Sequence, residues 1–174
     1  MGEAAPIEPD GKDWTFVITD GCAQCGFTPP EAEATGTLLR AAIPRWRARL
    51  AQPDARSRPE AATWSPLEYA CHVRDVCRVF AGRLQLMLAH PSPTFPDWDQ
   101  DAAAVEGHYH AQDPATVADE LEAEATRTAA AFDAVEGADW ERPGLRSNGS
   151  AFTVATLATY FTHDVQHHLH DVNG

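Results

Sequence analysis

Residues 64–90, WSPLEYACHVRDVCRVFAGRLQLMLAH, read as one long amphipathic helix with its start written into the chain. Ser65-Pro66-Leu67-Glu68 is a capping box with proline in the first turn: the serine caps forward and the glutamate reaches back. Trp64, just before the cap, can pack on the first turns. Tyr69, Val73, Val76, Phe80, Leu84 and Met87 then recur on one stripe, and the helix ends near His90 and the prolines beyond it.

The same pattern recurs on both sides of this helix. An earlier run, from about Pro30 to Leu50, places Leu39, Ile43, Trp46 and Leu50 at helical spacing. Thr28 is its expected cap, and Pro44 is expected to kink or split it. A third helix opens at Asp113-Pro114, carries Val117, Leu121, Thr128, Phe132 and Val135 inward, and closes at Gly137. A shorter one over roughly Asp99 to His110 precedes it. The last runs from about Thr153 to Val172, after the turn Ser147-Asn148-Gly149. No strand-like alternation competes with these runs. The fold class is therefore all-α, a four-helix bundle over residues 29–174. Residues 1–28 form an irregular N-terminal arm, with Trp14–Ile18 as an edge segment packed over the bundle.

Composition narrows the partners. The 26 acidic side chains against 13 basic ones give a formal charge of -13, which repels phosphate backbones and anionic lipid. Nucleic acid and membrane are thus poor partners, and no apolar run is long enough to span a bilayer. The acidic, proline-containing start lacks the regions of a signal peptide, so the expected location is the cytoplasm. Cys71 and Cys77 lie in the apolar helix and read as core residues.

Four of the eight histidines, His163, His167, His168 and His170, crowd into YFTHDVQHHLHDV, residues 160–172. His163 and His167 stand one turn apart, the spacing of two metal ligands on a helix. Asp164 stands where a helical zinc protease carries glutamate, so protease chemistry is not indicated. A third ligand is needed, and His72, flanking the stripe of the 64–90 helix, is the candidate. Three neutral imidazoles would leave a divalent ion with open positions. Against this, His163 and His167 lie off the main apolar stripe, whereas His168 lies nearer to it and competes for the role. A ligand pair at His163 and His167 requires this helix to have two covered faces, one toward the bundle and one toward a neighbour or second subunit. A solvated histidine-rich tail is the plain alternative.

WSPLEYACHVRDV followed by YFTHDVQHHLHDV resembles the DinB/YfiT-like superfamily of four-helix bundles with a three-histidine metal site. Trp64, His72 and Asp75 match the family's order, as does the His163/His167 pair, and the resemblance covers roughly residues 30–172. It implies metal ligands His72, His163 and His167, and zinc or nickel as the first candidates for the divalent metal. It also implies a transferase or isomerase that uses a low-molecular-weight thiol such as mycothiol on a small electrophile. Tyr160 and Asp75 are the candidates for proton handling beside the ligands, although Tyr160 could simply pack and Asp75 pair with Arg78. A homodimer is an expected assembly, and a non-catalytic metal- or thiol-binding module is the alternative function.

Cys22-Ala-Gln-Cys25-Gly26 looks like half a zinc ribbon. A plain turn, a metal or intersubunit role, and a redox dithiol all remain open readings of it. For the histidines the test is explicit. His72→Ala should abolish metal binding and His168→Ala spare it; loss on His168→Ala with retention on His163→Ala would move the ligands to the other pair.

Overall fold

The computed structural model describes residues 7–174. In chain order its helices are α1 (Val17–Asp20), α2 (Thr35–Leu50), α3 (Pro66–Ala89), α4 (Gln100–Glu106), α5 (Pro114–Asp133) and α6 (Val154–Asp171). Three short strands, β1 (Thr94–Phe95), β2 (Pro143–Arg146) and β3 (Ala151–Thr153), complete the regular elements. No described helix is long and apolar enough to cross a membrane.

The long helices form where their ends are stabilised. At α3, Ser65 Oγ accepts from the Glu68 amide at 3.3 Å, and the Glu68 carboxylate accepts from the Ser65 amide at 2.8 Å. Asp113 caps α5 and Thr153 caps α6, each accepting from the amide three residues on. The four long helices make a bundle in which α5 and α6 each lie against both α2 and α3. The chain's first two bundle helices therefore occupy one diagonal, and α5 and α6 the other. Trp46, Leu84, Phe132, Leu157 and Phe161 fill the centre, with Cys71 and Cys77 fully enclosed among them.

The structure corrects several expectations. The helix expected from Pro30 begins at Thr35, after a 3-10 turn over Ala32–Ala34. Consecutive prolines hold the chain extended before it, and Thr28 lies outside the helix. Pro44 does not split α2, which continues on both sides of it. Gly137, with φ +50°, opens a 3-10 turn instead of closing α5, which has ended at Asp133. Trp14–Ile18 turns into α1 and packs by Val17, Trp14 and Phe16, pairing with no strand among the described residues. The three-stranded sheet was not expected: β2 and β3 form an antiparallel hairpin, and β1 joins β2 in parallel. Its turn is the Ser147-Asn148-Gly149 stretch, where Gly149 adopts φ +97°.

The Glu68 carboxylate ties the start of α3 to the preceding loop, because it also accepts from Arg58 Nε at 2.9 Å. Burial raises its pKa, but Arg58 and Ser65 outweigh this and hold it below the ordinary 4.5. A depressed folded-state pKa gives stability that is present above the ordinary value and lost as pH falls through the folded one. Glu68→Gln should cost about 1.5–3 kcal/mol at neutral pH, the range for a hydrogen bond to a charged group. It should also shrink the fall in stability below pH 4.5. Urea unfolding at neutral and acidic pH measures both effects; equal losses at both would show that Glu68 acts only by packing.

Candidate metal centre

α6 carries three faces. Val154, Leu157, Phe161, Val165 and Leu169 point into the bundle. Asp164 and His168 flank that stripe, and His163 and His167 lie about 100° further round the helix. The first polar pair meets α3, and the second meets the N-terminal arm.

On the α3 side, His72 Nε2 lies 3.4 Å from Asp164 Oδ1, and His168 Nε2 lies 3.7 Å from the same oxygen. One ligand atom from each of the three falls within 4.8 Å of the others. His72 is completely buried, and neither of its ring nitrogens has a hydrogen-bond partner; Asp164 Oδ1 is likewise buried without one. Buried polar atoms are ordinarily paired, because an unpaired one forfeits its hydration. Two lone-pair donors turned toward one point, without the alignment of a hydrogen bond, fit a cation between them. His168 Nδ1 is 3.0 Å from Asp171 Oδ2, which orients the ring and leaves Nε2 toward Asp164. Trp98 stacks on His72 at 5.5 Å, Trp64 packs on it at 5.3 Å, and Tyr69 lies 5.0 Å from the His168 ring.

Charge states follow from these contacts. Burial lowers the His72 pKa against the opposing pull of Asp164, so the ring is neutral and its lone pair free. Burial would raise Asp164, but His168 and His72 hold it at about 2, a permanent carboxylate. For His168, burial is outweighed by Asp164 and Asp171, which raise its pKa.

The other pair faces the arm. Cys22, Cys25, His163 and His167 place one ligand atom each within 4.8 Å of one another. Burial, with help from His167, lowers His163 to about 4, and burial also lowers His167 against Asp171. The expected triad is thus divided: His72 is grouped with Asp164 and His168, while His163 and His167 are grouped with the two arm cysteines. The second covered face that the sequence required is provided by the chain's own arm. Asp164-x-x-x-His168 has the same one-turn spacing as the histidine pair, so the signal for it was present in the sequence. Asp171, one turn from His167 and three residues from His168, carried no comparable signal, and neither did the stacking of Trp98.

Both groups border a cleft of about 740 Å³ lined by Trp14, Trp64, Trp98, Tyr160, Asp164 and His168, among others. Glu8, Asp10, Asp13, Asp97, Asp99 and Asp101 also line it, against Lys12 and Arg146. Tyr160 lines this cleft, with the Arg146 guanidinium over its ring at 5.6 Å. Burial raises its pKa despite the hydrogen bond from Arg146, so its hydroxyl remains protonated at neutral pH. Asp75 does not line the cleft. Its carboxylate accepts from Arg74 at 2.9 Å, Arg78 at 2.8 Å and the Tyr109 hydroxyl at 2.5 Å. The expected pairing of Asp75 with Arg78 is therefore part of a network that joins α3 to Tyr109.

Comparison with known proteins agrees with this architecture. No curated protein matches the sequence. Among solved structures, YfiT from Bacillus subtilis, described as a probable metal-dependent hydrolase with an unusual four-helix bundle topology, superposes with a TM-score of 0.70 at 15% identity. The match covers 80% of this chain and 82% of that one. The sequence description of the DinB superfamily matches residues 52–172, from the loop before α3 to the end of α6, and the chain belongs to that superfamily.

Proposed function

We propose that the protein is a divalent-metal-dependent enzyme acting on small molecules. Its cleft metal is held by His72, Asp164 and His168, in place of the expected combination of His72 with His163 and His167. The observation that carries this reading is the set of buried, unpartnered donor atoms of His72 and Asp164, with Asp164 lining the cleft and His72 set 3.4 Å behind it. Two imidazoles and one carboxylate suit zinc, iron or nickel and leave coordination positions free. A cation there would lower the pKa of a nucleophile held beside it.

The surrounding residues narrow the chemistry. Asp171 fixes the ring of His168, and Trp64 and Trp98 close off His72 from solvent. The carboxylates lining the cleft disfavour an anionic substrate and admit a neutral or cationic one. Tyr160, kept protonated by burial, is suited to donate a hydrogen bond to a bound group and not to remove a proton. A low-molecular-weight thiol such as mycothiol, joined to or acting on a small electrophile, meets these requirements. Asp75 acts through its ion pairs, holding α3 in place, and has no direct part in the reaction.

Hydrolysis is a second reading, favoured by the likeness to YfiT, described as a probable metal-dependent hydrolase. The two differ in the nucleophile. Metal-replete protein should convert a model electrophile only when a small thiol is present, and His72→Ala should lose the conversion. Turnover that persists without thiol would favour hydrolysis, and rates equal to those of His72→Ala under both conditions would leave a metal-binding module.

The ligand assignment has its own test. His168→Ala and Asp164→Ala should lose the cleft metal, while His163→Ala keeps it. Asp171→Asn should weaken metal binding about 10–100-fold, the usual effect of removing a carboxylate that orients a ligating histidine. Retention of the cleft metal by His168→Ala would return the ligand set to His163 and His167.

A further inference from the structure

We infer that the chain has a second, structural metal site, a zinc held by the thiolates of Cys22 and Cys25 and the imidazoles of His163 and His167, which fastens the N-terminal arm to α6. This inference does not rest on the function proposed for the cleft.

The arm is shaped for the purpose. Cys22 pairs with Phe27 in a single β-bridge, its amide donating to the Phe27 carbonyl at 2.9 Å, so residues 22–27 close into a tight loop with both thiols on it. Two glycines make the loop possible. Gly26, at φ +73°, turns the chain directly after Cys25, and a Cβ on Gly21 would fall 2.5 Å from the Phe27 carbonyl oxygen. The loop meets α6 at the one-turn pair His163 and His167. All four cysteines of the chain are free thiols.

Distances and chemistry agree with tetrahedral zinc. Cys22 Sγ lies 3.6 Å from His167 Nδ1. Zinc–sulfur and zinc–nitrogen bonds of about 2.3 and 2.0–2.1 Å, meeting at the tetrahedral angle, separate a bound sulfur and nitrogen by about 3.6 Å. His163 Nε2 is buried and has no hydrogen-bond partner, so it is a donor that nothing among the described residues satisfies. The other nitrogen of His167 lies 3.7 Å from Asp171, the arrangement in which a carboxylate steadies a zinc-bound imidazole. Two thiolates and two neutral imidazoles cancel the charge of a zinc ion, which is the condition for burying it.

Aromatic rings cover the two histidines. Trp14 packs against His163 at 5.5 Å and His167 at 4.9 Å, and Phe27 meets His163 edge-on at 5.2 Å. Val17, Cys22 and Phe27 form a small apolar cluster with Tyr160 at its border. Four ligands of this kind leave no open position, which distinguishes the site from the one in the cleft. Its role is to hold Trp14 and the acidic arm over one wall of the cleft.

The test uses the full chain loaded with zinc, or with cobalt(II) as a coloured substitute. Wild type should show thiolate-to-cobalt charge-transfer absorption, and Cys22→Ser/Cys25→Ser should lose that absorption together with one bound zinc per chain. His72→Ala should retain the absorption, since His72 belongs to the other group. His163→Ala, which keeps both thiols, should weaken the absorption and speed zinc release to a chelator. A wild-type protein that folds but shows no thiolate-to-cobalt absorption would overturn the inference. So would a Cys22–Cys25 disulfide in place of bound metal, or the double serine variant retaining all of its zinc.

Discussion

Burying an ionisable side chain inside a helical bundle is tolerated only when something compensates it, and that constraint organises this molecule. His72 is enclosed on every side, and Asp164 is a carboxylate set against it. Neither completes the other as a hydrogen bond, and both retain donor atoms without partners. Replacing such groups by leucine would be an easy way to stabilise a bundle. Their presence at the edge of a cleft is intelligible if a cation is the missing partner. The cap of α3 sets the register of His72, and the cap of α6 sets that of Asp164 and His168.

α6 is the element on which the two donor groups converge. One stripe packs into the core, the next carries Asp164 and His168 toward His72, and the third meets the arm. Asp171 touches the second and third at once, lying 3.0 Å from His168 and 3.7 Å from His167. The cleft is therefore walled on one side by α3 and the loop of Trp98, and on the other by an arm anchored to the same helix. Changes in the arm should be felt at the cleft through Trp14 and Asp171, without any movement of the bundle core.

The bundle was legible in the sequence because helices announce themselves locally. The capping box at Ser65, the first-turn prolines and the stripes at helical spacing all fall within one segment, and the starts of α3, α5 and α6 follow them closely. The strands gave no such sign: two to four residues each are too few to alternate, and their pairing depends on backbone bonds between distant segments. In the site, the one-turn spacing of His163 and His167 was visible, as was His72, but their grouping was not. Asp164 and His168 share that spacing, and only the packing of α6 decides which pair turns toward His72. The match of Cys22 to His167 spans 145 residues, a separation no local pattern encodes. The half ribbon Cys22-x-x-Cys25 lacks a second CxxC, and the structure sets it against His163 and His167 of α6.

The most direct measurement of the account is an anomalous-diffraction map at the zinc edge from crystals of the zinc-loaded protein. The account predicts a peak among His72 Nε2, Asp164 Oδ1 and His168 Nε2, separate from any density at the arm cysteines. A single peak joining His72 to His163 and His167, with Asp164 and His168 unligated, would contradict it.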